Sequence, residues 1–339
     1  MIERALVVGL GSIGQRHLAL LRKRLPQAQL MVLRRSCDGT TAEADFCTTL
    51  LDEAVGFSPQ IAIVANPAPF HAEVTVALAE NGIHVLVEKP MASSVADAQK
   101  MIEAAAASDV VLQVGYNLRF LESLGAFRRL ILDGKIGRVA SARAEAGQYL
   151  PNWRPGSNWR DTVSAQRKLG GGVLFELSHE IDYLHWIFGR ISSVRGYSGQ
   201  LGGLAIDVED TAHALLHFEA DSPISGTGAA LIASVSLDFI RHDTVRRCQA
   251  IGESGTLLWD GMANKISYWD TNGVVEVVHK SDVQRNDTYT AQLDSFLASV
   301  LKREQPLVNG FDGLVALNVI DGVRRSNGAL GRELNLGTL

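Results

Sequence analysis

An apolar run, Ala5–Val8, passes directly into Gly9-Leu10-Gly11-Ser12-Ile13-Gly14 and then into an amphipathic stretch, Ile13–Arg24. No other feature of the chain limits its fold so tightly. In a G-x-G-x-x-G turn the first glycine permits the tight bend from strand to helix. The second lets backbone approach a pyrophosphate, and the third lets helix pack on strand. The helix start presents unpaired N–H groups, so Gly9, Gly11, Ser12, Ile13 and Gly14 are the expected phosphate cradle. A glycine-rich turn without a ligand is the competing explanation, and the strand-then-helix context disfavours it.

The same rhythm continues. Apolar runs recur at Leu30–Leu33, Ile61–Ala65, His84–Val87 and Val110–Val114, separated by helical spacing over Pro69–Asn81 and Val95–Ala107. Continuous apolar strands alternating with helices indicate a parallel sheet covered on both faces. After about Arg119 the pattern changes. A helix over Glu122–Asp133 is followed by β-rich stretches at Arg138–Gln148, Val194–Gly199, Thr211–Glu219, Ala229–Phe239, Val245–Ile251, Gly255–Trp259 and Val274–Val278. Helical periodicity returns only at Gly171–Phe188, Tyr289–Arg303 and Gly313–Asn327. The expected fold is α/β: an N-terminal Rossmann-type, doubly wound parallel sheet over residues 1–120. An α+β domain with a large, open, mostly antiparallel sheet follows over 121–339.

Charge narrows the function. A net charge of −5 over 339 residues gives no electrostatic footprint for nucleic acid and no basic anchor for a membrane. No apolar run reaches membrane-spanning length, and the first residues lack the pattern of a signal peptide. Cys37, Cys47 and Cys248 are odd in number, so the sequence reads as free of a disulfide framework and as cytoplasmic.

The end of the second strand discriminates between nicotinamide cofactors. An acidic residue there accepts from the ribose hydroxyls of NAD, whereas this chain has Leu33-Arg34-Arg35-Ser36. Guanidinium forks and a hydroxyl suit a 2′-phosphate, which favours NADP. Asp38 keeps NAD as the alternative.

Two further segments carry chemistry. Glu88-Lys89-Pro90 closes the buried run Val85–Val87, at the strand end where doubly wound sheets bind ligands. Lys89 there can hydrogen-bond a substrate oxygen and stabilise charge as hydride moves, and Glu88 either holds the lysine or meets the cofactor ribose. The second segment follows Gly170–Gly172. Read as one helix, Leu177, Ile181, Leu184 and Phe188 form its core stripe, and Glu176, His179 and Asp182 share another side. An imidazole between two acids suits proton transfer. The competing reading is a solvated helix face. His179 lacks the second histidine of a zinc-protease helix, since Tyr183 stands there, and no metal is expected.

Taken in order, these pieces resemble the glucose–fructose oxidoreductase, inositol dehydrogenase and rhizopine-catabolism family, Gfo/Idh/MocA. The carriers are Gly9–Gly14, Ala65-Asn66-Pro67 with His71, Glu88-Lys89-Pro90, Gly115–Phe120, Asn158-Trp159-Arg160, Gly170–Gly172 and His179-Glu180-Ile181-Asp182. The resemblance covers nearly the whole chain. It implies that Lys89 belongs to the active site and that His179 is the acid/base. It implies that Asn66, Pro67, His71, Trp159 and Arg160 lie along the cofactor, with Asn117 and Arg119 near nicotinamide or substrate. Tyr289 falls where some members contact substrate. Many members carry Asp four residues before the histidine; Phe175 stands there, which leaves Glu176 and Asp182 as candidates for the assisting acid.

The implied activity is hydride transfer to or from a hydroxyl-bearing carbon of a carbohydrate-like substrate, in a homodimer or homotetramer formed across the open sheet. Two other functions compete: transient use of the nicotinamide for a net non-redox step, and a cofactor-binding regulator without turnover.

Overall fold

The computed structural model describes residues 2–38, 42–154, Gly156, 158–220, 231–284 and 286–337. The chain divides into two compact units. Unit 1 is Met1–Asn117 with Asn286–Leu317, and unit 2 is Leu118–Arg285 with Asn318–Leu339.

Unit 1 alternates strand and helix: β1 (Arg4–Val8), α1 (Ser12–Arg24), β2 (Gln29–Leu33), β3 (Phe46–Thr48), α2 (Leu51–Gly56), β4 (Ile61–Val64), α3 (His71–Glu80), β5 (His84–Val87), α4 (Val95–Ala107) and β6 (Leu112–Val114). The six strands are ordered β3-β2-β1-β4-β5-β6 and every pair is parallel. The order reverses between β1 and β4, which is the switch point where such sheets bind ligands. β4 is buried at all four positions, as a strand with both faces covered must be. The short β3 and α2 lie outside the apolar runs: Phe46 and Cys47 are exposed, so neither alternation nor an apolar stretch marks them.

Later chain completes this unit. Helix α8 spans Asp287–Lys302 and sets Leu293, Phe296 and Val300, one stripe at helical spacing, into the core formed by Leu18, Leu21, Leu30 and Ile63. The stretch from 121 to 339 is therefore not one continuous unit.

Unit 2 contains α5 (Glu122–Leu132), β7 (Val139–Gly147), α6 (Val173–Glu176), α7 (His179–Phe188), β8 (Ile191–Gly199), β9 (Thr211–Phe218), β10 (Ile232–Asp238), β11 (Val245–Gly252), β12 (Gly255–Asp260), β13 (Lys265–Trp269), β14 (Val275–Lys280) and β15 (Leu334–Asn335). Helix α9, Gly310–Gly328, is divided by the unit boundary at Leu317. The nine strands run β14-β13-β12-β11-β7-β10-β9-β8-β15, antiparallel except where β10 meets β7. Part of the β run expected from Ala229 lies outside the described residues. One sheet face is buried under α6, α7 and the end of α9, where Gly196 lets Val323 approach closely. The other face carries Tyr197, Leu215 and Ile232, each more than a third exposed.

Two expectations need correcting. Cys37 and Cys47 form a disulfide with Cα atoms 5.8 Å apart, while Cys248 is a buried thiol. Parallel pairing of β2 with β3 brings the two cysteines together, a proximity that their spacing in sequence does not reveal. The helix expected over Gly171–Phe188 is broken. Gly172 has φ +110°, α6 lasts one turn, and Leu177 and Ser178 separate it from α7. Glu176 and His179 therefore do not share a continuous helical face.

Candidate functional site

The glycine turn of unit 1 behaves as its spacing demands. Gly9 has φ +84°, and a Cβ there would lie 2.7 Å from the Asn66 amide nitrogen. A Cβ on Gly14 would lie 2.0 Å from the Gly9 carbonyl oxygen, so only glycine lets α1 pack on its strand. Gly11 is different: a Cβ there meets nothing within 4 Å, so the second glycine faces open space. Helix α1 begins without a side-chain cap and without an acid in its first turn, leaving the N–H groups of Ser12, Ile13 and Gly14 to an anion. Beside the turn, the buried Asn66 Oδ1 has no partner among the described residues. Together these features fit a dinucleotide, with backbone donors for its pyrophosphate and one acceptor left over.

At the end of β2 the loop has folded onto itself. Arg34 donates through Nε to the Ser36 carbonyl and through Nη2 to the Asp38 carbonyl at 2.5 Å, and Ser36 Oγ donates to Asp38 Oδ2 at 2.5 Å. Arg34 thus braces the loop, and Arg35 is the exposed guanidinium.

The ends of β4 and β5 are tied together by His71, which is buried. Its Nε2 faces the Asn66 carbonyl at 2.7 Å and its Nδ1 faces the Pro90 and Met91 carbonyls at 3.1 and 3.2 Å. Burial holds its basicity below that of an ordinary histidine, against the carbonyls that favour the cation. Pro67 leads into the short turn Ala68–Phe70 that precedes α3. The structure therefore makes His71 a clamp between the two strand-end turns.

Glu88 is buried at the end of β5, and Lys89 follows it half-buried. His17 Nε2 lies 2.7 Å from Glu88 Oε1, and the Lys89 backbone N–H donates to Glu88 Oε2 at 3.2 Å. The Tyr289 ring, in the first turn of α8, meets His17 edge-on at 5.9 Å, and Arg16 sits 4.6 Å from the Tyr289 centroid. Burial, followed by the Glu88 carboxylate, pushes the Tyr289 phenol above its usual range, while Arg16 and Lys89 pull the other way. Asn117 is buried and donates through Nδ2 to Thr288 Oγ1 at 2.8 Å.

In unit 2, His179 opens α7 and is buried, as are Glu180, Asp182 and Tyr183. The competing picture of a solvated helix face is thus excluded. Arg119 forms a fork on Asp182, Nε to both carboxylate oxygens at 3.1 Å and Nη2 to Oδ1 at 2.7 Å, with both side chains almost fully buried. Arg246 pairs with Glu180 at 2.8 Å. Glu176 accepts from Ser164 Oγ at 2.9 Å. Trp159 lies in a short 3₁₀ turn with the Arg160 guanidinium 4.3 Å from its ring centroid; Arg160 is exposed. Among the described residues no group of three or more His, Cys, Asp or Glu could hold a metal ion. No described helix is long and apolar enough to cross a membrane.

Sequence reasoning passed over His17, Arg16 and Thr288. The signal for His17 was present: it stands on the buried stripe of α1 with Gly14, Leu18 and Leu21, an imidazole where a hydrophobe is expected.

Comparison with known proteins gives the family. The profile described as "Oxidoreductase family, NAD-binding Rossmann fold" matches residues 3–116, and that described as "Oxidoreductase family, C-terminal alpha/beta domain" matches residues 128–329. A levoglucosan dehydrogenase of Pseudarthrobacter phenanthrenivorans is 32% identical over 39% of this chain and 33% of its own. A 1,5-anhydro-D-fructose reductase of Ensifer adhaerens is 36% identical over 41% of each. The matches thus span about a third and about two-fifths of these relatives' own length. The scyllo-inositol 2-dehydrogenase (NAD(+)) of Bacillus subtilis is 24% identical over 96% of this chain and 93% of its own. Among solved structures, levoglucosan dehydrogenase in complex with NADH superposes with TM-score 0.85 at 17% identity, covering 99% of both chains. An oxidoreductase domain protein from Kribbella flavida gives 0.84 at 22% identity and complete coverage of both.

Proposed function

The chain belongs to the Gfo/Idh/MocA oxidoreductase family through both of its domains, and on that premise we propose that it moves hydride between NADP and a hydroxyl-bearing carbon of a sugar, sugar derivative or cyclitol. The observation that carries this reading is the strand-end site of unit 1: a glycine turn open over Gly11 after β1, with Glu88 and Lys89 at the end of β5, two strands along the same sheet. The cofactor, when bound, supplies the hydride acceptor or donor. Gly9, Gly11, Ser12, Ile13 and Gly14 hold its pyrophosphate, and Asn66, Pro67 and Glu88 lie along it. The same reading puts Trp159, Arg160 and Asn117 with the cofactor.

His179 takes the proton of the substrate hydroxyl, and Lys89 hydrogen-bonds the oxygen as negative charge grows on it. Asp182 is favoured over Glu176 as the assisting acid, because its fork with Arg119 fixes it within the turn that His179 begins. Arg119 then serves substrate through Asp182, and Tyr289 acts beside Lys89. The names of the relatives, inositol, levoglucosan and anhydrofructose enzymes, support a polyhydroxylated ring as substrate. Arg35 supports NADP; Asp38, accepting from Ser36, is the feature that favours NAD. The proposed assembly is a homodimer or homotetramer across the sheet face that bears Tyr197, Leu215 and Ile232, and the proposed compartment is the cytoplasm.

A panel of sugars, sugar acids, cyclitols and sugar nucleotides, each followed at the reduced-nicotinamide absorbance with NADP and with NAD, tests the reading. Turnover of at least one polyhydroxylated substrate is expected. Tight cofactor binding with no net absorbance change across the panel would favour a net non-redox step instead.

A further inference from the structure

Helix α1 carries two features of interest. Its first turn offers amides to the pyrophosphate, and one turn later it carries His17, a fully buried imidazole. The only described polar partner of His17 is Glu88 Oε1 at 2.7 Å, and its Nδ1 has none. Nε2 therefore carries the hydrogen that this contact needs, and the carboxylate accepts it. Burying an imidazole is costly unless the bond it makes is worth keeping.

The other Glu88 oxygen is equally constrained. Oε2 accepts the Lys89 backbone N–H at 3.2 Å. It also lies over Gly115, where a Cβ would come within 2.9 Å of it, so glycine leaves the room that the carboxylate occupies. Tyr289 closes the side of His17 with its ring edge, and Arg16 backs Tyr289. The imidazole cannot turn away without opening this packing.

We infer that His17 is a positioning residue for Lys89: by gripping one oxygen of Glu88 it fixes the carboxylate whose other oxygen holds the lysine's own backbone, so the helix that receives the pyrophosphate also sets the lysine. This inference rests on the proposed role of Lys89 only for its effect on turnover; the placement of the lysine can be read independently. Tyr289 acts in the same assembly as the lateral support of His17, in addition to any contact with substrate.

The test uses the full chain with its lysines reductively methylated with ¹³C-formaldehyde, and the Lys89 signal assigned through Lys89→Arg. His17→Phe fills the space but cannot donate, whereas His17→Gln presents an Nε2–H to the same oxygen. Glu88→Gln removes the charge and keeps the shape. The Lys89 methyl resonance is expected to shift in His17→Phe and Glu88→Gln and to return towards wild type in His17→Gln. In the two His17 variants calorimetric NADP affinity should change less than about twofold, because the pyrophosphate donors are untouched. Turnover of the best panel substrate should fall about tenfold or more in kcat with KM nearly unchanged, the scale of one lost charge-assisted hydrogen bond. A wild-type Lys89 signal in a folded His17→Phe variant would overturn the inference, as would equal losses in His17→Gln and His17→Phe. If Lys89→Ala keeps its turnover while the resonance still responds to His17, the proposed catalytic role fails and the positioning stands.

Discussion

At the strand ends of unit 1 the open polar groups are backbone amides and a carboxamide oxygen, arranged by glycines. Around His179 in unit 2 the ionisable groups are side chains matched to one another: the buried pair Arg119 with Asp182, and the buried Glu180 with the partly exposed Arg246. The first arrangement leaves space; the second fills it. A backbone cradle needs no charged side chain and tolerates different anions, while buried pairs have a high cost if one member is removed. The comparison predicts that mutations in the two regions fail in different ways, one in affinity and the other in stability.

The largest effect should come from unit 2. Arg119→Met takes the guanidinium fork away from the buried Asp182 carboxylate, and removing one partner of such a buried ion pair costs about 3–5 kcal/mol. Denaturant unfolding should show this loss. The double variant Arg119→Met with Asp182→Leu should recover much of it, since both charges of the pair are then removed together. Failure of the double variant to recover would mean that the pair is not a closed unit.

Glycine substitutions sharpen the contrast. Gly14→Ala drives a methyl against the Gly9 carbonyl and should destabilise by about 1–3 kcal/mol, as overpacking does. Gly11→Ala meets nothing, so stability should change by no more than about 0.5 kcal/mol. Its NADP affinity should nevertheless fall by about tenfold or more, because the methyl occupies the approach to the pyrophosphate. Equal stability losses in the two variants would break the distinction between a packing glycine and a binding glycine.

Arg35→Ala should weaken NADP and leave NAD nearly unchanged, since only the 2′-phosphate contact is lost. Arg34→Ala, by contrast, should weaken both cofactors, because Arg34 braces the Ser36–Asp38 loop rather than pointing outward. Calorimetric titration of each cofactor separates the two arginines, and tighter binding of NAD in the wild type would reverse the proposed preference.

The smallest expected effect is a pH dependence of stability. His71 is buried, and burial lowers its folded pKa below the ordinary 6.5. The unfolded chain then binds more protons than the folded one below that value, so stability is complete above about pH 6.5 and declines as the pH falls through it. Tm measured from pH 8 to pH 5 should drop less in His71→Gln than in the wild type. A parallel decline in both would assign the acid sensitivity elsewhere; His84, lowered by burial and by Arg303, is the other histidine of this kind in unit 1.

What was legible in the sequence was whatever a local pattern forces. The glycine turn, the apolar strands β1, β2, β4, β5 and β6, and strands β7 to β12 and β14 of unit 2 follow from local patterns, whereas β13 and β15, short strands among polar residues, were not marked by them. The break after Glu176 was hidden because Leu177 and Ser178 continue an acceptable helical pattern, and only Gly172 at positive φ marks the irregular approach. The Cys37–Cys47 bridge was hidden because it depends on which strand pairs with β2. The fork of Arg119 on Asp182 was hidden because the two residues lie 63 positions apart in sequence. His17 was visible but uninterpreted, since a histidine on an apolar stripe gains meaning only when the buried carboxylate opposite it is known.

The central claim, that Lys89 and His179 serve one hydride transfer, is tested most directly by a double-variant cycle on the substrate that turns over best in the panel. Lys89→Ala and His179→Ala should each lower kcat by roughly a hundredfold or more, with NADP affinity little changed. The double variant should lose much less than the product of the two, because both groups act on the same oxygen. Near-normal turnover in His179→Ala, or losses that simply multiply, would contradict the account.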